Sequence, residues 1–211
     1  MLSSLASLRA STALAPALAV CLLPNPAFAH SPVPGFAGFY TGLLHPLSTP
    51  GQLLGLLSLG LMLGSRWPQW FAWSWLSFAA SCLLGIFLGQ LGFTPTWSEV
   101  ALLTMATMAS VLAALYPSGF LVACVGFSCV CGFLVGVLST PDPGPVNDTI
   151  LTLTGSFVGA NLALIYAAGG IGWLQERYTQ QWVRIGLRVV AAWIAAISVL
   201  SALLALAPQQ L

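Results

Sequence analysis

The sequence predicts an all-α membrane protein, a polytopic bundle of about six transmembrane helices (30–211) behind a cleaved signal peptide (1–29). Hydrophobic residues make up 58% of the 211 positions and charged residues only 4%, whereas about a quarter of a soluble domain is charged. Apolar runs of roughly 20 residues recur along the chain without the alternation of a barrel strand. In lipid every backbone N–H and C=O needs an internal partner, so runs of this kind must be helices.

The first element is the export signal. A short polar start with Arg9 precedes an apolar stretch over 13–23, closed by Pro24 and Pro26, and then Ala27-Phe28-Ala29. These are the n-region, h-region and A-x-A site of a secretory signal. Its apolar core is shorter than the roughly 20 residues of a spanning helix. Cleavage after Ala29 leaves His30 as the mature N-terminus, outside the cytoplasm of a bacterial inner membrane.

Next comes an apolar lead-in over 34–44, followed by spans near 52–65, 70–92, 100–116, 119–139, 150–173 and 182–206. The first of these is too short to cross alone at about 1.5 Å per residue. The 36–44 segment is therefore expected to complete that crossing, with a break at His45-Pro46 and Pro50.

Charge orients the spans. With the mature N-terminus outside, Arg66 falls in the first inner loop and Arg177, Arg184 and Arg188 in or just beyond the last, while Glu99, Asp142 and Asp148 fall outside. Glu176 is the one inner acid. Six crossings bring the C-terminus back outside, whereas five would split the arginines between the two faces. Trp67, Trp70, Trp97, Trp173 and Trp182 lie at span ends, the headgroup level that an amphipathic ring prefers.

Close packing is expected at Gly60/Gly64, Gly85/Gly89, Gly132/Gly136 and Gly155/Gly159, each pair placing two small residues on one helix face. The lipid bilayer is the first partner. A partner helix or a second copy could also use these glycine faces. A net charge of +1 with no lysine offers nucleic acid nothing to hold. The five cysteines (Cys21, Cys82, Cys124, Cys129, Cys131) all lie in apolar segments, which argues against a disulfide framework.

Polar groups inside the spans are few, and each is a candidate site: His45, Gln52, Gln90, Asn161 and Tyr166. His45 stands at the break, where an unwound backbone could line a cavity. It either serves as a ligand, with a further donor such as Cys131 or Tyr166 close by, or bonds a carbonyl released by Pro46 or Pro50 and holds the break. Cys124 and Cys131 share a helix face and Cys129 points away. Met105, Met108 and Cys131 could compose a soft site, though buried sulfur residues are ordinary packing. Gln90 lies near a span end, and Asn161 can bond across to a neighbouring helix. Paired acids, Gly-x-Ser-x-Gly, a phosphate-binding loop and His-Glu-x-x-His are all missing from the sequence, so neither an enzyme nor a resident cofactor is expected.

The stretch Gly38-Phe39-Tyr40-Thr41-Gly42-Leu43-Leu44-His45-Pro46-Leu47, directly after the signal, resembles the HupE/UreJ family of proposed nickel or cobalt permeases of hydrogenase and urease maturation. Phe157-Val158-Gly159-Ala160-Asn161-Leu162-Ala163-Leu164-Ile165-Tyr166-Ala167-Ala168-Gly169 is similar to that family's later span. The resemblance implies a six-span permease and a transported Ni²⁺ or Co²⁺, with His45, Cys131 and Tyr166 as the metal-facing residues. The chain departs from the family's metal-site pattern. Where His-Pro is ordinarily followed by Gly-x-Asp-His, Thr49, Gly51 and Gln52 stand instead. In the fourth span Phe127, Cys131 and Leu134 occupy the places of two histidines and a glutamate. The later span's histidine falls on Ile165 or Tyr166. Two functions are therefore carried forward, a permease for a transition-metal ion and a non-transporting membrane subunit that packs against partner helices.

Overall fold

Apolar runs interrupted by proline, glycine and short polar links fold into seven helices among the described residues of the computed structural model, which are 38–115, 121–141 and 144–207. In order they are α1 (Phe39–Ser48), α2 (Pro50–Gly64), α3 (Phe71–Gln90), α4 (Ser98–Leu115), α5 (Leu121–Leu138), α6 (Val146–Arg177) and α7 (Gln181–Leu206). The signal peptide, Asp142 and the C-terminal residues after 207 lie outside the described residues.

Helices α3 to α7 are each long and apolar enough to cross a bilayer, whereas α1 and α2 meet that test only as a pair bent by 73°. The bend falls later than the first proline. Helix α1 continues through His45 and Pro46, and the chain turns at Thr49, which is extended (φ −92°, ψ 111°). A residue ahead of proline is pushed out of the helical region, and Pro50 then starts α2 at a position where a missing N–H costs nothing. Pro46, near the end of a ten-residue helix, removes one bond and is tolerated.

The bent pair makes one crossing. A Cβ on Gly155 or Gly159 of α6 would fall on the carbonyls of Phe39 and Leu43, and one on Gly60 or Gly64 would meet Ala167 and Ile171. Both halves thus advance along α6 in the direction in which α6 itself runs. From Gly155 to Ile171 that advance is about 24 Å at 1.5 Å per residue, close to the thickness of a hydrocarbon core. A re-entrant loop would turn back instead.

Each of the four glycine pairs seals a contact within the chain. Gly85 of α3 lies on the carbonyl of Phe133, while Gly132 and Gly136 of α5 lie on those of Phe78 and Cys82. This reciprocal seam brings α3 and α5 into backbone contact, as small residues at i and i+4 permit. Gly42 of α1 meets the Thr152 carbonyl of α6 in the same way. Helix α4 packs between α2 and α7. Leu56, Leu59, Leu63, Phe78, Leu102 and Leu164 form the buried centre, and Trp73, Phe87 and Trp193 look outward. An outward apolar face suits lipid.

The two ends of the bundle differ chemically. At one end α2 finishes beside Arg66, whose Nη1 donates to the Met62 carbonyl at 2.9 Å, and a cation suits the negative end of a helix. Trp67 follows, packed onto Gly172 and tilted against Phe71 with ring centroids 4.6 Å apart. Ser65 shares a cavity there with Gln175, Arg184 and Arg188. At the other end, Gly51 near the start of α2 faces Glu99 in the first turn of α4.

Candidate functional site

The break in the first span brings together polar groups that sequence separates. His45 lies in the last turn of α1 and Gln52 in the first turn of α2. Leu138 is the last residue of α5, so its carbonyl is one of the four that a helix end leaves without an internal partner. Gln52 Nε2 donates to that carbonyl at 3.1 Å. His45 Nε2 lies 3.4 Å from the same oxygen and 3.4 Å from Gln52 Nε2.

The imidazole fits this position in either neutral tautomer. Gln52 Nε2 can only donate and the Leu138 oxygen can only accept. With Nε2 bare, His45 accepts from Gln52; with Nε2 protonated, it donates to Leu138. The ring need not move between the two.

Gln52 is completely buried, and its Oε1 has no hydrogen-bond partner. Leaving a buried acceptor unsatisfied costs about 1–3 kcal/mol. A leucine of similar size would fill the space without that cost, so the carboxamide marks a place where a donor or a cation can be received. Gln52 Oε1 and the second lone pair of the Leu138 carbonyl are two uncharged acceptors, and the Nε2 lone pair of neutral His45 becomes a third ligating atom when it gives up the bond from Gln52. Negative charge is close by, since a Cβ on Gly51 would stand 3.6 Å from Glu99 Oε1. The set suits a cation held loosely, with water completing its shell.

The other candidates lie elsewhere. Cys131 is seven residues before Leu138 on α5, about 10 Å along the helix axis, and is buried in the central apolar cluster. Tyr166 on α6 is 76% exposed on the outer face. Asn161 is buried, and its Nδ2 donates to Phe157 one turn back at 2.8 Å, which leaves Oδ1 without a partner. Met105 shares a groove with a cysteine, but it is Cys129. The two line an outward apolar groove of about 550 Å³ between α3, α4 and α5. Among the described residues no three of His, Cys, Asp and Glu come together as a metal site. The carbonyl beside His45 also differs from the expected one, belonging to the end of α5 and not to a residue released by Pro46 or Pro50.

Sequence reasoning named Gln52 as a polar residue and missed its role. The clue was present, because Gln52 occupies the place of a histidine in the pattern that His45-Pro46 begins. Leu138 carried no signal, since its contribution is backbone. The family model described as HupE / UreJ protein matches residues 18–201. No curated protein and no solved structure matches the chain.

Proposed function

The chain belongs to the HupE/UreJ family, and from that premise we propose that it is a multi-pass permease for a transition-metal ion, nickel or cobalt, which passes His45 and Gln52 at the break in the first span. The observation that carries this reading is the buried, partnerless Oε1 of Gln52 beside an imidazole and a helix-end carbonyl. A transported ion must be able to leave as well as enter. Two neutral acceptors and an imidazole that must exchange its bond from Gln52 for the ion, with a carboxylate nearby, suit that requirement better than the tight cage of a structural metal. Cys131 and Tyr166 would then act, if at all, at other points of the path.

In this reading the mature protein begins after Ala29 and the arginine-bearing end faces the cytoplasm, in keeping with the positive-inside rule. Both termini are outside and the membrane is the bacterial inner membrane. The protein acts as a carrier and not as an enzyme. Accumulation of nickel and of cobalt, measured in cells with and without the chain, tests the proposal. The expected result is higher uptake with the wild type, lost in His45→Gln while the protein still inserts and folds. Equal uptake in all three overturns it.

One observation favours the non-transporting subunit. His45 Nε2 already has Gln52 and Leu138 as partners, and such a cluster could serve only to hold the bend. The glycine pairs are taken up within the chain, so a partner helix would have to dock elsewhere, on faces such as those of Gly126, Gly170 and Gly186, where a Cβ would meet nothing. Recovery of a stable membrane partner in mild detergent, with no effect of the chain on metal uptake, would favour that function.

A further inference from the structure

Helices α6 and α7 are consecutive yet barely touch. At the end where they are joined, the gap between α2, α4, α6 and α7 is a cavity of about 240 Å³. Arg184 and Arg188, four residues apart and so on one face of α7, stand in its wall. Gln181, Gln175 and Ser65 add amide and hydroxyl donors, and Leu61 contributes apolar surface at the α2 side. The first turn of α7 contains no acid, so the positive end of its dipole adds to the two guanidinium charges, which together outweigh the partial negative ends of α2 and α6 at Ser65 and Gln175. Glu176, beside Gln175 in sequence, is exposed and is not part of the wall.

We propose that this cavity is a phosphate-binding pocket. A guanidinium fork matches phosphate oxygens in geometry as well as in charge. Size limits the ligand, because 240 Å³ is below the roughly 300 Å³ from which drug-sized pockets begin. It takes one phosphate group and not a nucleotide. The phosphate has two sources, the headgroup of an anionic lipid, which lies at the level of helix ends and binds basic pockets between them, or free inorganic phosphate. Bound, it ties the start of α7 to the ends of α2 and α6.

The test uses the full chain, purified in detergent and stripped of lipid. It is titrated separately with phosphatidylglycerol, phosphatidylcholine and inorganic phosphate, and the bound species are counted by native mass spectrometry. Phosphatidylglycerol should bind more tightly than phosphatidylcholine, whose choline offsets the phosphate charge. The R184Q/R188Q double variant should weaken phosphatidylglycerol binding roughly thirty-fold, taking the usual contribution of each arginine near a membrane surface. Gln181→Glu provides the safeguard. It puts a carboxylate into the wall at a helix start, where an acid favours folding, and it should also weaken binding. Inorganic phosphate that displaces the lipid identifies a soluble anion as a ligand, and failure to displace it identifies the headgroup. Binding unchanged in Gln181→Glu, or no binding from either phosphate source, overturns the proposal, whether or not the double variant folds.

Discussion

The α3–α5 seam and the broken α1–α2 span solve the same problem in opposite ways. In the seam, Gly85, Gly132 and Gly136 let two unbroken helices meet backbone to backbone, each with its own hydrogen-bond ladder complete. In the broken span the ladder stops at Thr49, and the turn is surrounded by a histidine, a buried glutamine and the bare end of another helix. Both regions hold buried polar atoms without a partner, the hydroxyls of Ser74 and Ser128 on the seam helices and the Gln52 oxygen at the break, but at the break that atom stands beside an imidazole and a helix-end carbonyl. A stable bundle needs only the first kind of contact, so the polar groups that persist at the break are where a function is to be sought.

The sharpest way to break that contrast is to fill the seam. Gly136→Leu would drive its Cβ onto the Cys82 carbonyl, and backbone cannot yield as a side-chain tip can. The expected loss is at least about 3 kcal/mol, at or beyond the upper end for overpacking. Size-exclusion of the solubilised protein should show aggregation or disappearance of the folded peak. A well-folded Gly136→Leu would mean that α3 and α5 are held by something other than close approach.

At the break the expected loss is of function. Gln52→Leu removes the hydrogen bond to Leu138 and the longer one to His45, and with them the unsatisfied oxygen. The two effects are of similar size and opposite sign, so stability should change by no more than about 1 kcal/mol. Metal uptake should nevertheless fall to background. If the thermal midpoint drops steeply along with uptake, the cluster is a structural staple, and the comparison between seam and break collapses. Gln52→His sharpens the same point from the other side. It puts an imidazole where the family pattern has one, and nickel should then bind more tightly in an equilibrium titration, since imidazole is the better ligand for that ion. Unchanged affinity would show that position 52 does not face a metal.

How legible these two regions were follows from their physics. Glycine pairs four residues apart state helix packing almost directly, and all four that the sequence offered are close contacts. The span order, the charge separation between the ends and the need for a broken first crossing were equally legible, because length, hydropathy and proline are properties of the chain itself. The bend at Thr49 lies inside the stretch from His45-Pro46 to Pro50 that the sequence marks, and only the tolerance of a late helical proline decides between the two prolines. The site was half legible. His45 could be singled out, but its partners could not, because one is a backbone carbonyl on α5 and the other is read as packing until its burial is known. The resemblance suggested Cys131 and Tyr166 as neighbours, and three-dimensional placement puts one in the apolar centre and the other on the outer face.

Cys131 separates the two regions by a smaller effect. It sits on α5 next to Gly132 of the seam and about 10 Å along the axis from Leu138. Cys131→Ser places a hydroxyl in the apolar cluster. The expected cost is about 1–3 kcal/mol for a buried polar group, read as a lower thermal midpoint, and uptake per folded molecule should be unchanged. Loss of uptake at full stability would extend the path from the break down into the centre of the bundle.

The smallest effect is expected at Tyr166, and it bears on where the outer boundary of the bundle lies. The ring is 76% exposed on α6, one face of the helix away from the buried Leu164 and Ala168. Tyr166→Phe removes only the hydroxyl. If that surface meets lipid, neither stability nor uptake should change beyond the ±0.5 kcal/mol typical of surface substitutions. A fall in uptake with the fold intact would require the hydroxyl to meet something other than acyl chains. The outer face of α6 would then be an interface with another protein or a second route for the ion, and His45 and Gln52 would no longer suffice as the place where an ion is received.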